Sequence, residues 1–298
     1  MSTLSSCRSG AGRGGYRLRN EVRSVLREPD SIDIRDAIFK NLTNKKVRAV
    51  IWTKQSGTVS GIGRMIETAK EMKLSIQAAV RDGDDVAEGG TIAIIEGTPK
   101  EICLAEDMLI GLVGKTSGIA TAARRAVSLA GGRVTIVSGG WKKMPHQIKE
   151  EIREAIRLGG SGLRITEHPF VYLDKNYVRM FGGIVQALLA VRELEDRMKV
   201  IQIRGETEPI VREAVVAAEH GADIIMVDTG DIDDLRSVSS ALSREGLRTR
   251  VKIAFGGSIP LEEIPHIVEA DVDILDIGRA IIDAPMLDIR LDVEGVED

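Results

Sequence analysis

The most constraining feature of this 298-residue sequence is a repeated alternation of short apolar runs and amphipathic helical patterns after residue 105. The apolar runs show little alternation of polar and apolar residues, which is typical of strands covered on both faces. Strands that alternate with helices in this way pair in parallel and are joined by crossover helices. The pattern predicts strands at residues 134–138, 163–166, 170–173, 199–204, 224–228, 251–255 and 274–277.

The length of this region favours a barrel that does not close. About 180 residues follow residue 115, whereas a complete (β/α)8 barrel takes about 250. Upstream, an apolar run at residues 47–52 and two turn clusters around β-branched residues at 82–97 are typical of a small sandwich. We therefore predict an α/β protein with an N-terminal α/β sandwich at residues 26–115 and an incomplete α/β barrel at residues 116–298.

Composition excludes several classes of protein. The formal net charge of −4 makes nucleic acid an unexpected partner. Residues 1–25 are rich in Arg and Gly, so we predict a disordered basic tail there. No run approaches the roughly 20 apolar residues of a membrane span, and the start lacks the apolar stretch of a signal peptide. With two cysteines there is no disulfide framework, and a soluble cytoplasmic protein is expected.

Glycines follow the last two predicted strands, at the end of a barrel where ligands bind. Gly256, Gly257 and Ser258 come after one strand and precede a predicted helix at 261–268. Gly278 and Arg279 follow the next strand. Either glycine alone is typical of a turn, but backbone amides beside glycines at consecutive strand ends predict a phosphate-binding site.

Two carboxylates are expected at the same rim. Asp228 ends the strand at 224–228, and Glu206 follows the strand at 199–204. Carboxylates that share Mg²⁺ with the phosphates of a substrate are a common arrangement. We therefore predict Mg²⁺ at Asp228 and Glu206.

Basic side chains come from three other predicted strand ends: Lys142 and Lys143, Arg164, and Lys175. Cations that converge from separate loops indicate a polyanionic small-molecule substrate. Five of the nine aromatic side chains lie within residues 141–181. Of these, Trp141 and Tyr177 adjoin the cationic loops and are predicted to stack on a planar ring of the substrate.

Several short motifs occur in a fixed order along most of the chain. They lie at residues 82–97, 105–106, 117–121, 159–160, 175–176, 222–228, 256–257 and 273–278. Together they resemble the type II phosphoribosyltransferases, the quinolinate and nicotinate enzymes of NAD synthesis. The run Ser-Gly-Ile-Ala-Thr at 117–121, followed by the later blocks, is the more specific part of the resemblance.

The resemblance implies a reaction in which phosphoribosyl pyrophosphate and an aromatic base give a nucleotide and pyrophosphate, with Mg²⁺ as cofactor. It implies that Lys142, Lys175 and Asp228 are catalytic, and that the protein is a homodimer or higher homo-oligomer with shared active sites. A pyridine nitrogen already carries a free lone pair, so the reaction needs no general base.

The chain departs from the family at positions that bind the base. The family motif Thr-Arg-Lys-Thr-x-Pro reads Gly-Trp-Lys-Lys-Met-Pro at residues 140–145, and the His-Arg pair reads Leu163-Arg164. An arginine of the small domain is replaced by Asp107, and the strand glutamate aligns with Gln202 or Glu206. Tryptophan and aspartate do not replace an arginine that binds a carboxylate through two hydrogen bonds. We therefore expect the same donor with an altered acceptor, such as nicotinate.

Two other functions are open at this point. One is a barrel homologue without catalysis that acts as a binding or scaffold subunit. The other is a different sugar-phosphate barrel enzyme in which Lys142 or Lys175 forms a Schiff base. The sequence contains no GxSxG, GxxxxGK[ST] or HExxH motif, which removes support for esterase, P-loop and zincin functions.

Overall fold

The structure, a computed structural model, describes residues 33–298, and the predicted tail at residues 1–25 lies outside the described residues. The N-terminal unit contains α1 (Ile34–Ile38), β1 (Lys46–Thr53), β2 (Gly57–Thr58), α2 (Ile62–Glu71), β3 (Ser75–Ala78), β4 (Asp85–Val86) and β5 (Thr91–Gly97). A long helix, α3 (Pro99–Ala130), leads into the C-terminal unit. That unit continues with β6 (Thr135–Val137), α4 (Lys149–Leu158), β7 (Phe170–Leu173), α5 (Lys175–Phe181), α6 (Ile184–Val191), β8 (Met198–Ile203), α7 (Ile210–Glu219), β9 (Ile224–Asp228), α8 (Ile232–Arg244), β10 (Lys252–Gly256), α9 (Ile264–Ile267), β11 (Ile274–Asp276), α10 (Arg279–Ile282) and β12 (Ile289–Glu297).

An antiparallel sheet in the order β12-β1-β5-β3 forms one layer of the N-terminal unit. Side chains of β1 alternate between more and less buried positions, and Ala49 and Ile51 are fully buried. Their face packs against Met65 of α2 and Leu109 of α3 in one hydrophobic core. The predicted α/β sandwich is therefore confirmed as a sheet covered by helices.

Helix α3 begins at a capping box that the sequence Thr-Pro-Lys-Glu encodes. The Thr98 side chain accepts a hydrogen bond from the Glu101 N–H, and the Glu101 side chain accepts one from the Thr98 N–H. At 32 residues, α3 is about 48 Å long and passes through both units. Neither α3 nor any other helix within residues 33–298 combines the length and hydropathy needed to cross a bilayer.

The Ser-Gly-Ile-Ala-Thr run fixes α3 to the N-terminal unit. The Ser117 and Thr121 hydroxyl oxygens accept hydrogen bonds of 2.9 Å from the backbone N–H groups of Ser60 and Thr58. Gly118, between them, faces the backbone of Pro285, where a Cβ would lie 2.0 Å from the carbonyl oxygen. The run therefore has a structural role, as the contact between a helix and two other chain segments.

Six parallel strands in the order β6-β11-β10-β9-β8-β7 form the wall of the C-terminal unit. A single parallel bridge joins Val137 to Gly162, and no ladder between β6 and β7 is present in the described part of the chain. Outward-facing residues such as Ile201 and Ile225 pack under the surrounding helices. The incomplete barrel that the length predicts is confirmed.

Two predicted elements differ in the structure. Residues 163–166 form no strand, because the segment bends from Gly162 until Pro169, which has no N–H for a ladder. The helix predicted at 261–268 consists of 3-10 turns on either side of the four-residue α9. Pro265 lies inside this region and lacks the amide hydrogen that a continuous helix requires.

The two units interleave at the end of the chain. Strand β12 follows the barrel in sequence, yet it pairs with β1 of the N-terminal sheet over its whole length. A division at residues 115 and 116 therefore cuts α3 and groups β12 with the barrel, although its hydrogen bonds lie in the other unit.

Candidate active site

The inward-facing residues of the barrel change from apolar to polar towards the carboxyl ends of the strands. Strand side chains alternate with a period of two. The inner apolar layer contains Val137, Val200, Ile224, Met226, Ala254 and Ile274. The next inward positions along β8 to β11 are Gln202, Asp228, Gly256 and Asp276. They line a hollow of about 460 Å³, the candidate active site.

Most of the predicted site residues line this hollow. They are Lys142, Lys143, Arg164, Lys175, Asp228, Gly256, Gly257, Ser258 and Gly278. These residues come from six segments that are far apart in the sequence and meet at the carboxyl ends of the strands. Their individual roles stay predictions.

Asp228 and Asp276 form what we call the acidic floor of the hollow. Both pair in register with Gly256, one from each neighbouring strand. Oδ2 of Asp228 accepts hydrogen bonds from Gln202 Nε2 and from Arg204 Nη1, the latter at 3.1 Å. Burial raises the pKa of Asp276, although a backbone hydrogen bond and nearby lysines act in the opposite direction. Burial thus makes the ionised carboxylate of Asp276 costly without a positive partner.

Four basic side chains form the cationic wall of the hollow: Lys142, Lys143, Arg164 and Lys175. The two adjacent lysines belong to a 3-10 turn, Gly140–Lys143, that follows β6. Lys142 Nζ lies 5.6 Å from the centroid of the Tyr172 ring, within the range of a cation–π contact. Burial, helped by nearby carboxylates, raises the pKa of Tyr172, so its phenol stays protonated beside the lysine.

The loop after β10 is held by backbone contact with the loop after β9. Gly230 donates its N–H to the carbonyl oxygen of Gly256 at 2.9 Å. Gly257 has φ of +119°, and a Cβ there would lie 2.3 Å from the nitrogen of Gly230, so only glycine fits. Ser258 also has a positive φ, 61°, which is uncommon outside glycine. Because α9 has only four residues, loop amides rather than a helix dipole would attract a phosphate here.

Trp141 lies behind the cationic wall and does not line the hollow. Its indole Nε1 donates a hydrogen bond of 3.1 Å to the carbonyl oxygen of Leu163. The guanidinium of Arg153 lies over its ring, 4.8 Å from the centroid. The stacking predicted for a substrate ring is thus made, on one face, by an arginine of the chain itself.

Besides Trp141, three predicted residues are not brought to the hollow. Tyr177 is on α5 and is 45% exposed. Glu206 lines a smaller neighbouring hollow, where its carboxylate pairs with two arginines at 2.7 and 3.3 Å. Arg279 is exposed and pairs with Asp283 along α10. The geometry therefore does not join these residues to the ring, metal or phosphate positions predicted for them.

The sequence analysis did not name Arg204 or Asp276 as site residues, and it named Gln202 only as one of two residues that align with the family's strand glutamate. Gln202 links the acidic floor to the next loop, because its Oε1 accepts a hydrogen bond of 2.7 Å from the Lys175 N–H. The signal that identifies these residues is the period of two, since positions 202 and 204 continue the inward face that Val200 begins.

Family models match both units of the chain. The model for the quinolinate phosphoribosyl transferase N-terminal domain matches residues 33–117, and the model for the C-terminal domain of the same enzyme matches residues 119–292.

Similar proteins span nearly the same length. A probable nicotinate-nucleotide pyrophosphorylase [carboxylating] from Methanothermobacter thermautotrophicus is 26% identical over 286 residues, covering 93% of this chain and 100% of the relative. One from Archaeoglobus fulgidus is 28% identical over 255 residues, covering 85% and 96%. The crystal structure of nicotinate-nucleotide pyrophosphorylase from Pyrococcus furiosus shares the fold, with a TM-score of 0.78 at 23% identity, covering 98% of this chain and 79% of that one. The chain therefore belongs to the quinolinate phosphoribosyltransferase family.

Proposed function

We propose that the protein transfers a 5-phosphoribosyl group from phosphoribosyl pyrophosphate to the ring nitrogen of a pyridine-type base, nicotinate or a quinolinate-like ring, as in NAD biosynthesis. One observation carries this proposal: Lys142, Lys175, Asp228 and Gly257, from four different strand ends, line one hollow. Similarity to proteins named nicotinate-nucleotide pyrophosphorylase [carboxylating] supports the same reaction.

The reaction forms a bond between the ring nitrogen and C1 of the ribose, and it breaks the bond between C1 and the pyrophosphate oxygen. The bonding electrons leave with pyrophosphate, so negative charge grows on the leaving group while C1 becomes cationic. Fixed positive charges lower the energy of such a transition state because they need no reorganisation. The cationic wall stabilises the leaving group, and the 256–258 loop binds phosphate through its backbone.

Asp228 is the residue that would hold Mg²⁺, with Asp276 beside it. Magnesium is usually bound by one or two carboxylates together with substrate phosphates, and both carboxylates of the acidic floor line the hollow. Mg²⁺ bound there would neutralise charge on the departing pyrophosphate. Glu206 is left out because it lies in the neighbouring hollow, paired with arginines. Among the described residues, no three His, Cys, Asp or Glu side chains are grouped to hold a metal, and phosphate oxygens would complete the ligand set.

The proposal includes a homodimer with shared active sites, in the cytoplasm. Exposed apolar side chains on α5 support an interface near the hollow, since Met180 is 73% and Phe181 is 43% exposed within a few residues of Lys175. Clustered apolar exposure of this kind is typical of protein contacts. Sedimentation velocity of the wild type against Met180→Ser tests the dimer.

The function is tested by incubating the protein with phosphoribosyl pyrophosphate, Mg²⁺ and a panel of pyridine bases, with mass spectrometry of the products. We expect a pyridine nucleotide and pyrophosphate, and a large loss of rate in Lys142→Met. Absence of any nucleotide, together with no calorimetric binding of phosphoribosyl pyrophosphate, would overturn the proposal. Borohydride trapping of a sugar phosphate on Lys142 or Lys175 would instead favour Schiff-base chemistry.

A further inference from the structure

Arg204 joins the acidic floor to the neighbouring hollow that contains Glu206. It follows β8 directly, and its guanidinium contacts one carboxylate on each side. Nη1 of Arg204 lies 3.1 Å from Oδ2 of Asp228, and Nε lies 3.3 Å from Oε1 of Glu206. Because an arginine stays charged in proteins, Arg204 is a permanent cation that two carboxylates share.

The backbone at Arg204 is held by a buried carboxylate. Glu213 on α7 is 3% exposed, and it accepts hydrogen bonds of 3.0 and 2.8 Å from the N–H groups of Arg204 and Gly205 and two more from Thr207. The side chain of Arg204, by contrast, is 36% exposed. Ion pairs with this exposure exchange partners at little cost in free energy. The guanidinium is therefore free to favour either carboxylate while the loop stays in place.

The chain itself compensates the charge of Asp228. Its Oδ2 accepts hydrogen bonds from the guanidinium of Arg204 and from the amide of Gln202. Both groups are donors, so they compete with a metal ion for this oxygen. Without them, Asp228 would repel the phosphates of a ligand in the same hollow, because like charges placed side by side are strongly unfavourable. Arg204 thus supplies, in the absence of a metal, positive charge at the acidic floor.

We propose that Arg204 is a built-in counter-cation of Asp228 that lets the hollow bind a polyphosphate without metal, and that it turns fully to Glu206 when Mg²⁺ binds at the floor. The inference rests on the proposed function and deepens it, because Mg²⁺ becomes an exchangeable partner of Asp228 and not a requirement for binding. It also gives Glu206 a role away from the metal. Arg179 occupies one oxygen of Glu206 at 2.7 Å, and the other oxygen receives the guanidinium of Arg204.

The test is the binding of inorganic pyrophosphate, which depends neither on the acceptor base nor on turnover. Pyrophosphate is titrated calorimetrically into the full chain in EDTA and again in excess Mg²⁺, and we expect the wild type to bind it in both media. In Arg204→Met the affinity falls at least tenfold in EDTA, because Asp228 then faces the phosphates without compensation. In Mg²⁺ the affinity falls less than threefold, because the metal supplies the missing positive charge.

Glu206→Gln is expected to give the opposite change. Arg204 then loses its second partner and stays on Asp228, so the affinity in EDTA remains within threefold of wild type. In excess Mg²⁺ the affinity falls at least threefold, because the metal must compete with a guanidinium that has no other carboxylate to pair with. A variant that only disturbs the loop would weaken binding in both media alike.

Arg212→Met is the matched control. Arg212 on α7 is an exposed arginine that pairs with Glu208, and it lines neither the candidate active site nor the neighbouring hollow. We expect this variant to bind pyrophosphate as the wild type does in both media. The control separates the effect of Arg204 from the loss of one positive charge.

The inference is overturned if Arg204→Met loses affinity by the same factor in both media, if its loss in EDTA is below tenfold, or if Arg212→Met responds in the same way. Wild-type affinity of Glu206→Gln in Mg²⁺, or no binding by the wild type in EDTA, also overturns it. Failure of the proposed function has a different signature. In that case pyrophosphate binds with the expected dependence on Arg204, yet no base in the panel yields a nucleotide.

Discussion

Replacing Gly118 by alanine tests how α3 joins the two units. A Cβ at position 118 would lie 2.0 Å from the carbonyl oxygen of Pro285 and 3.2 Å from the Cα of Met286. These are backbone atoms, which cannot rotate away, so α3 and the segment that leads to β12 must separate. Overpacking of this kind costs about 3 kcal/mol, and the better helix propensity of alanine offsets about 1 kcal/mol. An entropy of unfolding of about 2.1 cal/mol/K per residue gives about 0.6 kcal/mol/K for 298 residues, so the net loss of about 2 kcal/mol lowers Tm by about 3 °C.

Gly111→Ala is the control, because Gly111 lies on the same helix with no atom within 4 Å of a Cβ built there. This variant gains about 1 kcal/mol of helix propensity without a clash, so we expect Tm to rise by about 1–2 °C. Scanning calorimetry of both variants beside the wild type gives the comparison. A Gly118→Ala protein that melts at or above the wild-type temperature would refute the close contact between α3 and the 285–286 backbone.

Three other predictions concern the site and its support. We expect Asp228→Asn to weaken the calorimetric binding of phosphoribosyl pyrophosphate with Mg²⁺. Asp233 on α8 is the control, because its side chain is 82% exposed, and Asp233→Asn should bind as the wild type does. Equal affinities of the two variants would contradict a role of the acidic floor in binding Mg²⁺. We expect Gly257→Ala to lower the affinity for phosphate, because its Cβ would displace Gly230. Gly246 also has a positive φ but has open space around a Cβ, so Gly246→Ala should keep the wild-type phosphate affinity. Equal phosphate affinities in the two variants would contradict phosphate binding by the 256–258 loop. Burial raises the pKa of Glu213, but hydrogen bonds from residues 204–208 outweigh it and hold the pKa below the usual 4.5. The ionised Glu213 carboxylate therefore stabilises the fold above about pH 4.5, and this stabilisation is lost as the pH falls further. We expect Glu213→Gln to melt below the wild type at pH 7 and the difference in Tm to shrink below pH 4. A difference in Tm that stays constant with pH would show that the charge of Glu213 does not contribute to stability.

The barrel strands show which strands a local sequence pattern predicts and which it does not. The strand predicted at 224–228 coincides with β9, because buried β-branched runs between turn residues specify a central parallel strand. Residues 163–166, Leu-Arg-Ile-Thr, are interrupted by the exposed Arg164 and form no strand, and the one bridge in this segment joins Gly162 to Val137. An apolar run that is buried throughout thus predicts a paired strand more securely than a run with a charged residue inside it.

The residues of the candidate site also include some that the sequence predicted correctly and one that it did not. The sequence pattern places Lys142, Lys175 and Asp228 at the ends of predicted strands, and the structure brings all three to one hollow. This prediction succeeds because the parallel strands of a barrel have their carboxyl ends at one rim. The same reasoning also placed Glu206 there, which the structure does not, because an ion pair with Arg179 holds it in the neighbouring hollow. The ion-pair partner of each carboxylate depends on the positions of side chains several residues beyond the end of the strand.

The sequence by itself determined the α/β class, the incomplete barrel and the rim at which charged side chains gather, because these follow from periodicity, length and strand direction. Only the tertiary structure decided that β12 returns to β1, that Arg153 covers Trp141 and that Asp276 lies in register with Asp228 across Gly256. Each of these joins groups from separate elements of the fold, and the free energy of such a contact depends on distance and burial in the folded chain, which a local pattern of residues does not specify.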